Sequence, residues 1–144
     1  KLAIGENTAE KIKLKLGSAY PVGENERTMG VRGLHLLSGL PRTIEINESE
    51  VRDCLQESVN SILEAIKRTL EQTPPDLAAD IIDRGIMLAG GGAMLRGLDT
   101  LISHETGIIT HIAAEPLKCV VLGTGRVLED KTLDRVFSDR SILA

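Results

Sequence analysis

The sequence predicts an α/β fold from three observations. A short, wholly apolar run at residues 86–89 is followed at once by three glycines, a helical pattern and a second apolar run. This order of strand, turn, helix and strand is typical of a crossover unit in a parallel sheet. Upstream, residues 47–71 carry an amphipathic pattern with a capping signal, and residues 20–46 carry apolar runs separated by Gly and Pro. The chain is therefore expected to combine helices with both parallel and antiparallel strands.

The first helix is predicted at residues 5–17. Asn7 or Thr8 is the expected N-terminal cap, because their side chains accept hydrogen bonds from free backbone N–H groups. Gly17 is the expected end of the helix. The apolar side chains that recur at helical spacing are Ala9, Ile12 and Leu16.

Two strands are predicted next, at residues 27–35 and 41–46. Ser38 and Gly39 form a turn signal between them. We expect the strands to be antiparallel, because a parallel crossover needs a much longer connection.

The longest helical pattern follows Asn47. Asn47 and Glu50 have the spacing of a capping box, in which each side chain accepts from the other residue's backbone N–H. The apolar positions recur every three or four residues, which predicts a helix with one face on the core. They are Val51, Leu55, Val59, Ile62, Ile66 and Leu70.

A proline-rich junction predicts a boundary between two lobes. Thr73 is the expected cap of a helix at residues 75–84, which Gly85 is expected to end. Residues 1–73 would then form the first lobe and residues 74–129 the second.

The second lobe is predicted to hold a strand at residues 86–89, buried on both faces because all four side chains are apolar. A helix at 93–106, a strand at 108–113 and a helix at 117–129 should follow. Residues 130–144 are polar with isolated apolar side chains, and they are expected to be loosely held.

The three glycines Gly90, Gly91 and Gly92 are the chemically informative feature. Without Cβ atoms they let a ligand approach the backbone closely, and a helix beginning after them would present free N–H groups to phosphate. No Lys follows as in a P-loop, and the spacing differs from the dinucleotide fingerprint. From these residues alone, a phosphate or nucleotide site and a tight structural turn both remain open.

Composition excludes several classes of function. The net charge is −4, and the chain has one Tyr, one Phe and no Trp, which argues against binding nucleic acid. No apolar run reaches 18 residues and no secretion signal opens the chain, so neither a membrane span nor export is expected.

The remaining reactive residues are scattered. Cys54 and Cys119 lie far apart and are expected to be buried, reduced thiols. The three histidines form no motif, so we expect no metal site and no catalytic triad. The Gly123-Thr124-Gly125 run is expected to let a helix pack closely against the sheet.

Many short segments together resemble the MreB/Mbl family of bacterial actin homologues, in the order and spacing of that family. They include Glu10-Lys11-Ile12-Lys13, Val31-Arg32-Gly33, Gly39-Leu40-Pro41-Arg42, Pro74-Pro75-Asp76-Leu77, Gly90-Gly91-Gly92-Ala93, Leu95-Arg96-Gly97-Leu98-Asp99 and Ala114-Glu115-Pro116-Leu117. The resemblance covers about residues 2–129, and it does not separate MreB from its paralogue Mbl.

The resemblance implies the C-terminal half of an actin-like ATPase (ribonuclease H-like) fold. Residues 1–73 would be a small α+β outer lobe, and residues 74–129 part of the sheet-bearing inner lobe. It implies a cytoplasmic protein that polymerises with ATP into filaments under the membrane. Such filaments guide synthesis of the lateral cell wall and so maintain rod shape. The family's partners include MreC, MreD and RodZ.

The resemblance also implies a nucleotide site. The triple-glycine turn would lie beside the adenosine and inner phosphates, and the charged helix would border the adenine pocket. The residues concerned are Gly90, Gly91, Gly92 and Ala93 in the turn, and Glu10, Lys11, Ile12 and Lys13 in the helix.

The family's two phosphate hairpins, its water-positioning acid and its magnesium-holding Asp have no counterpart here. We therefore expect a C-terminal portion that does not hydrolyse ATP alone, since hydrolysis depends on groups around the γ-phosphate. Magnesium, the normal filament and membrane attachment would belong to the intact parent. The inner-lobe sheet would have an exposed edge, which makes dimerisation of the portion a hypothesis.

Two other interpretations stay open. The first is a structural or interaction module whose glycines only turn the chain. The second is another member of the actin superfamily, such as a sugar kinase or a chaperone ATPase.

Overall fold

The computed structural model describes residues 1–23 and 25–130. The predicted loose tail, residues 130–144, lies outside this part of the chain except for Asp130. The described residues form five strands and five α-helices, so the predicted mixture of helices and strands is confirmed.

The N-terminal half contains an antiparallel sheet of three strands in the order β1-β2-β3. They are β1 (Leu2–Ala3), β2 (Thr28–His35) and β3 (Pro41–Asn47). The predicted antiparallel pair is confirmed, with Val31 opposite Ile44 in the register. The turn also lies where it was predicted: Gly39 has a φ of 67° and its N–H donates to the His35 carbonyl oxygen at 2.9 Å. Gly suits this left-handed conformation because it lacks a Cβ.

Helix α1 (Glu6–Leu16) ends at Gly17 as predicted, but its start differs. Gly5 is the N-cap, and no side chain caps the helix, so the expectation for Asn7 or Thr8 was wrong. The helix begins earlier because the backbone N–H groups of Thr8 and Ala9 already donate to the Gly5 carbonyl oxygen, both at 3.0 Å.

Helix α2 (Glu48–Glu71) begins with the predicted capping box. The Glu50 N–H donates to Asn47 Oδ1 at 2.8 Å, and the Asn47 N–H donates to Glu50 Oε2 at 2.9 Å. The buried stripe differs at one position: Leu63 is buried and Ile62 is exposed. A stripe that advances by four residues from Val59 reaches Leu63, so the choice of Ile62 was wrong by one place.

The remaining elements are α3 (Pro75–Arg84), β4 (Ile86–Leu88), a 3₁₀ turn (Gly91–Met94), α4 (Leu98–Thr106), β5 (Thr110–Ile112) and α5 (Cys119–Glu129). Strands β4 and β5 are parallel, so the predicted crossover unit is confirmed. Pro74, not Thr73, is the N-cap of α3. The Thr73 hydroxyl instead donates backwards to the Thr69 carbonyl oxygen at 2.8 Å, which closes the end of α2.

Helix α4 begins at Leu98, five residues later than the predicted start at residue 93. Leu95 is extended, and Gly97 adopts φ 72° and ψ 9°, so the helical path is broken between the 3₁₀ turn and α4. Arg96 also pairs with Ser18 as an isolated parallel bridge, which takes its backbone out of any helix. The expected apolar face of α4 is correct, since Leu98 and Ile102 are buried.

Two hydrophobic cores share helix α2. The first core contains Ile12, Leu16, Val31 and Val51, and the second contains Val59, Leu63, Leu98 and Ile102. Leu55 packs against both cores. Helix α2 is therefore common to the antiparallel sheet and to the parallel crossover unit, while the boundary between lobes at residues 73–74 stays a prediction.

Three burial expectations were wrong. Strand β4 is not buried on both faces: Met87 is 64% exposed, because α4 covers one face and no described element covers the other. Cys54 is exposed and Cys119 half-buried, although both thiols are free; Cys54 lies beside the apolar stripe of α2. Gly123 and Gly125 do not pack closely, since Cβ atoms there would meet nothing within 4 Å.

Candidate functional site

The glycine turn follows directly from strand β4. Gly90 adopts φ 83° and ψ 177°, a conformation that essentially only glycine tolerates. Its N–H donates to the Pro116 carbonyl oxygen at 2.7 Å, and so ties the turn to the segment after β5. Lower in the sheet, the Ala113 N–H donates to the Leu88 carbonyl oxygen at 3.0 Å. The parallel register of β4 and β5 therefore holds the turn at the carboxyl ends of both strands, where α/β sheets commonly bind ligands.

The next two glycines have no structural requirement of this kind. Neither Gly91 nor Gly92 has a positive φ. A Cβ at Gly92 would meet nothing within 4 Å, and one at Gly91 would make an ordinary 3.5 Å contact with Leu117 Cδ2. The fold thus explains glycine at Gly90 but not at Gly91 or Gly92, where the space beside the backbone is open.

The helix expected to start after the glycines is absent. Gly91–Met94 form one 3₁₀ turn, in which Ala93 is buried. The N-terminus of α4 lies beyond Arg96 and begins at the Gly97 cap. The expectation that a helix N-terminus directly follows the glycines was therefore wrong, and any donors at this point are those of the turn itself.

The charged face of α1 holds the other residues predicted for the site. Glu10 Oε2 and Lys13 Nζ form an exposed ion pair at 2.6 Å. Lys11 is also exposed. Ile12 points the opposite way and is 8% exposed, in the first core with Leu16. The structure therefore separates these four residues into three polar surface side chains and one core anchor.

A backbone junction links α1 to the glycine turn. Ser18, two residues after the end of α1, pairs with Arg96, two residues after the 3₁₀ turn. The Ala19 N–H donates to the Arg96 carbonyl oxygen at 2.8 Å. The junction is also held from α2, because Arg52 Nη1 donates to the fully buried Ser18 Oγ at 3.3 Å. The junction thus joins the backbone after α1 to the backbone after the 3₁₀ turn.

Sequence reasoning missed a buried carboxylate beside this junction. Glu48, the first residue of α2, has a side chain that is 4% exposed. One of its oxygens accepts from Arg27 Nε at 3.1 Å, and the other accepts from Arg96 Nη2. Glu48 lies within the predicted capping box, but no role was predicted for it, and neither arginine is near it in sequence. Only the folded contacts reveal the cluster.

Residues 1–23 and 25–130 contain neither a cluster of metal-ligand side chains nor a helix that could span a membrane. No three His, Cys, Asp or Glu side chains in this part of the chain group closely enough to hold a metal ion. No helix in the same part combines the length and apolar character needed to cross a bilayer.

The sequence is similar to that of a described protein family over most of its length. The profile of the family described as "MreB/Mbl protein" matches residues 1–135. Cell shape-determining protein Mbl of Bacillus subtilis is 48% identical over 130 residues, which cover 90% of this chain and 39% of that protein. Cell shape-determining protein MreB of Escherichia coli is 50% identical over 126 residues, which cover 88% of this chain and 36% of that protein.

A solved structure has the same fold. The crystal structure of MreB5 of Spiroplasma citri bound to ADP matches 96% of this chain and 41% of its own chain, with a TM-score of 0.85 at 36% identity. This likeness supports the actin-like α/β fold that the resemblance implied. The chain spans about two fifths of the length of these relatives. The chain belongs to the MreB/Mbl family of actin-like proteins and corresponds to the C-terminal portion of its members.

Proposed function

We propose that this chain supplies the adenosine side of the ATP site in an actin-like cytoskeletal protein that determines cell shape. The observation that carries the proposal is the open space beside Gly91 and Gly92. A turn that only reversed the chain would need glycine at Gly90 alone. Two further glycines, with no strain and no close packing to explain them, are typical of a backbone that a ligand approaches.

The relatives support the choice of a nucleotide. MreB5 of Spiroplasma citri has been solved with ADP, and again with AMPPNP at a TM-score of 0.84. Both structures match 96% of this chain. Because the chain belongs to the same family and leaves room at the turn, a nucleotide is the ligand we expect there.

The proposed roles follow from where each residue lies. Gly90, Gly91 and Gly92 would border the adenosine and inner phosphates through their backbone, with Ala93 buried beneath them. Glu10, Lys11 and Lys13 would border the adenine pocket, and Ile12 would hold α1 on the first core. Bound Mg-ATP would supply the phosphoanhydride bond, but its hydrolysis needs groups around the γ-phosphate that we do not assign to this chain.

We extend the proposal to the intact protein by family membership. There the chain would take part in ATP-dependent filaments that lie under the cytoplasmic face of the membrane and guide cell-wall synthesis. Self-association and contacts with MreC, MreD and RodZ would belong to that assembly. Membrane attachment would come from parts outside this chain.

Calorimetric titration with Mg-ATP tests the proposal. The chain would be compared with an extended protein, in which the N-terminal part of Escherichia coli MreB precedes it. We expect weak or no binding to the chain alone, clear binding to the extended protein, and phosphate release only from the latter. Steady phosphate release from the chain alone would contradict our assignment of catalysis to the other part.

One substitution with a matched control separates binding from a purely structural turn. Gly92→Val fills open space beside the proposed ligand, whereas Gly30→Val adds the same side chain on β2, where a Cβ meets only Thr43 at 3.8 Å. We expect Gly92→Val to weaken ATP binding to the extended protein about tenfold or more, and Gly30→Val to leave it unchanged. Equal affinity for both variants would favour the structural module.

A further inference from the structure

The buried carboxylate of Glu48 joins three segments that are distant in sequence. It begins α2, while Arg27 precedes β2 and Arg96 lies between the glycine turn and α4. Both oxygens of Glu48 are used, one for each arginine. The backbone of the α2 start is fixed as well, because the Ser49 N–H donates to Glu26 Oε1 at 3.0 Å.

We propose that Glu48 is a positioning residue for the glycine turn, which it ties to the antiparallel sheet through its contact with Arg96. The proposal rests on the proposed function, because the turn it positions is the proposed adenosine site. The first of its two contacts, to Arg27, fixes Glu48 to the residue that precedes β2 of the antiparallel sheet. The second, to Arg96, transmits that position to the segment directly after the 3₁₀ turn.

The chemistry of the cluster favours such a role over simple stability. A buried carboxylate is stabilised only when its oxygens are paired, so removing its charge leaves the arginines without their partner. Arg96 depends strongly on this contact: its Nε is buried, and among the described residues it meets no hydrogen-bond acceptor. The Arg96 carbonyl oxygen in turn accepts from the Ala19 N–H. Loss of the contact between Glu48 and Arg96 should therefore increase the local opening of both the turn and the junction to α1.

A second ion pair provides the control. Lys67 Nζ and Glu105 Oε2 lie 2.7 Å apart and also join α2 to the α4 region, but at the far end of α4 and on the surface. Both pairs connect the same helix to the same crossover unit. Only the Glu48 pair adjoins the glycine turn.

Amide hydrogen exchange on the 144-residue chain tests the positioning directly. With Glu48→Gln, we expect the Ala19 and Leu95 amides to exchange roughly tenfold faster or more, since a charge-assisted hydrogen bond that holds them is lost. With Lys67→Met, both amides should exchange as in the unchanged chain. Equal exchange in the two variants would overturn the proposal.

Two arginine variants cover the case in which Glu48→Gln does not fold. Arg96→Met removes the partner of Glu48 that lies after the 3₁₀ turn, and Arg27→Met removes the partner that precedes β2. We expect Arg96→Met to accelerate exchange at Leu95 more than Arg27→Met does, because only Arg96 reaches the segment after the 3₁₀ turn. The opposite order would overturn the proposal.

Nucleotide affinity in the extended protein separates this proposal from the proposed function. If the unchanged extended protein binds no ATP, the proposed function fails while the exchange data still decide the role of Glu48. If it binds ATP, Glu48→Gln should weaken binding about tenfold, with Lys67→Met unchanged. Unchanged affinity of Glu48→Gln, with normal binding by the parent, would overturn the positioning role alone.

Discussion

The two sheets of the molecule face their surroundings differently. The antiparallel sheet packs Val31 on α1 and α2 and exposes polar side chains such as Arg32 and Thr43 on its other face. Strand β4 of the parallel pair is apolar on both faces, yet its Met87 stays exposed. The buried Val31 and the exposed Arg32 thus match the cover that α1 and α2 provide on one face of β2. Strand β4 has a sequence suited to cover on both sides, and relatives of this family are more than twice as long.

This difference shows which strands find their packing partners within this chain. The core of the first region is built from α1, β2 and α2, which all lie within this chain. The second carries the glycine turn of the proposed site, which directly follows β4. Functions that need a complete site should therefore depend on the rest of a longer protein, as the weak binding expected for the chain alone implies.

The largest effect on the comparison should come from the second core. Ile102 is fully buried, so Ile102→Ala should lower the free energy of unfolding by about 2–5 kcal/mol. Val31→Ala in the first core should lower it by roughly 2 kcal/mol, from two lost methyl groups and a small cavity. Urea denaturation measures both.

The number of unfolding transitions tests whether the two cores unfold together. Because α2 contributes to both cores, each variant should still unfold in a single transition by circular dichroism and by exchange. Two separate transitions would contradict the view that α2 couples the regions.

Within the glycine turn the first position should differ from the third. Gly90→Ala forces a Cβ into a conformation reserved for glycine and should cost about 1–3 kcal/mol of stability. Gly92→Ala should change stability by less than about 0.5 kcal/mol, because nothing lies within 4 Å of the new Cβ. Thermal melts of the two variants measure the difference. A large loss for Gly92→Ala would mean that this glycine has a structural role after all.

Removing the cap of α2 tests whether destabilising the first core also destabilises the second. Asn47→Ala removes the side-chain acceptor for the Glu50 N–H and should destabilise the chain by about 1 kcal/mol. Ser61→Ala on the exposed face of α2 removes only a bond to the Glu57 carbonyl oxygen and serves as the control. If α2 couples the cores, Asn47→Ala should accelerate exchange around Ile102 as well as Val51. Faster exchange confined to the amides around Val51 would contradict the coupling of the two cores by α2.

The smallest effect should be a dependence on pH at the far end of α4. The hydrogen bond and charge of Lys67, with a smaller contribution from His104, lower the pKa of Glu105 from its ordinary value of 4.5. A lowered carboxyl pKa stabilises the folded state above 4.5, and this contribution is lost as pH falls through the lowered value. Unfolding measured against pH should therefore show Glu105→Gln less stable than the parent near neutrality, with the gap closing in acid. A constant gap would contradict the ion pair's role.

Local signals in the sequence predicted much of the fold. The capping box at Asn47, the turn at Gly39 and the short connection between β2 and β3 each act within a few residues, and all three predictions were correct. The start of α4 was not predictable in this way, because it depends on Arg96 pairing with Ser18 across the chain. The burial of Met87 failed for the complementary reason, since its pattern implies cover that the described residues do not provide.

The candidate site was also predictable only where the signal was local or came from the family resemblance. The glycines were identified from their position after an apolar run, and the charged face of α1 from resemblance to the family. The Glu48 cluster was invisible, because Arg27 and Arg96 lie 21 and 48 residues away from it. Only the three-dimensional fold brings these charges together.

Photo-crosslinking of the extended protein with 8-azido-ATP tests the central claim most directly. The azide sits on the adenine ring, so its adducts report which residues lie on the adenosine side. We predict adducts within residues 10–13 or 90–93, suppressed by excess ATP and reduced by Gly92→Val but not by Gly30→Val. ATP-protected adducts that fall entirely outside this chain would contradict the account.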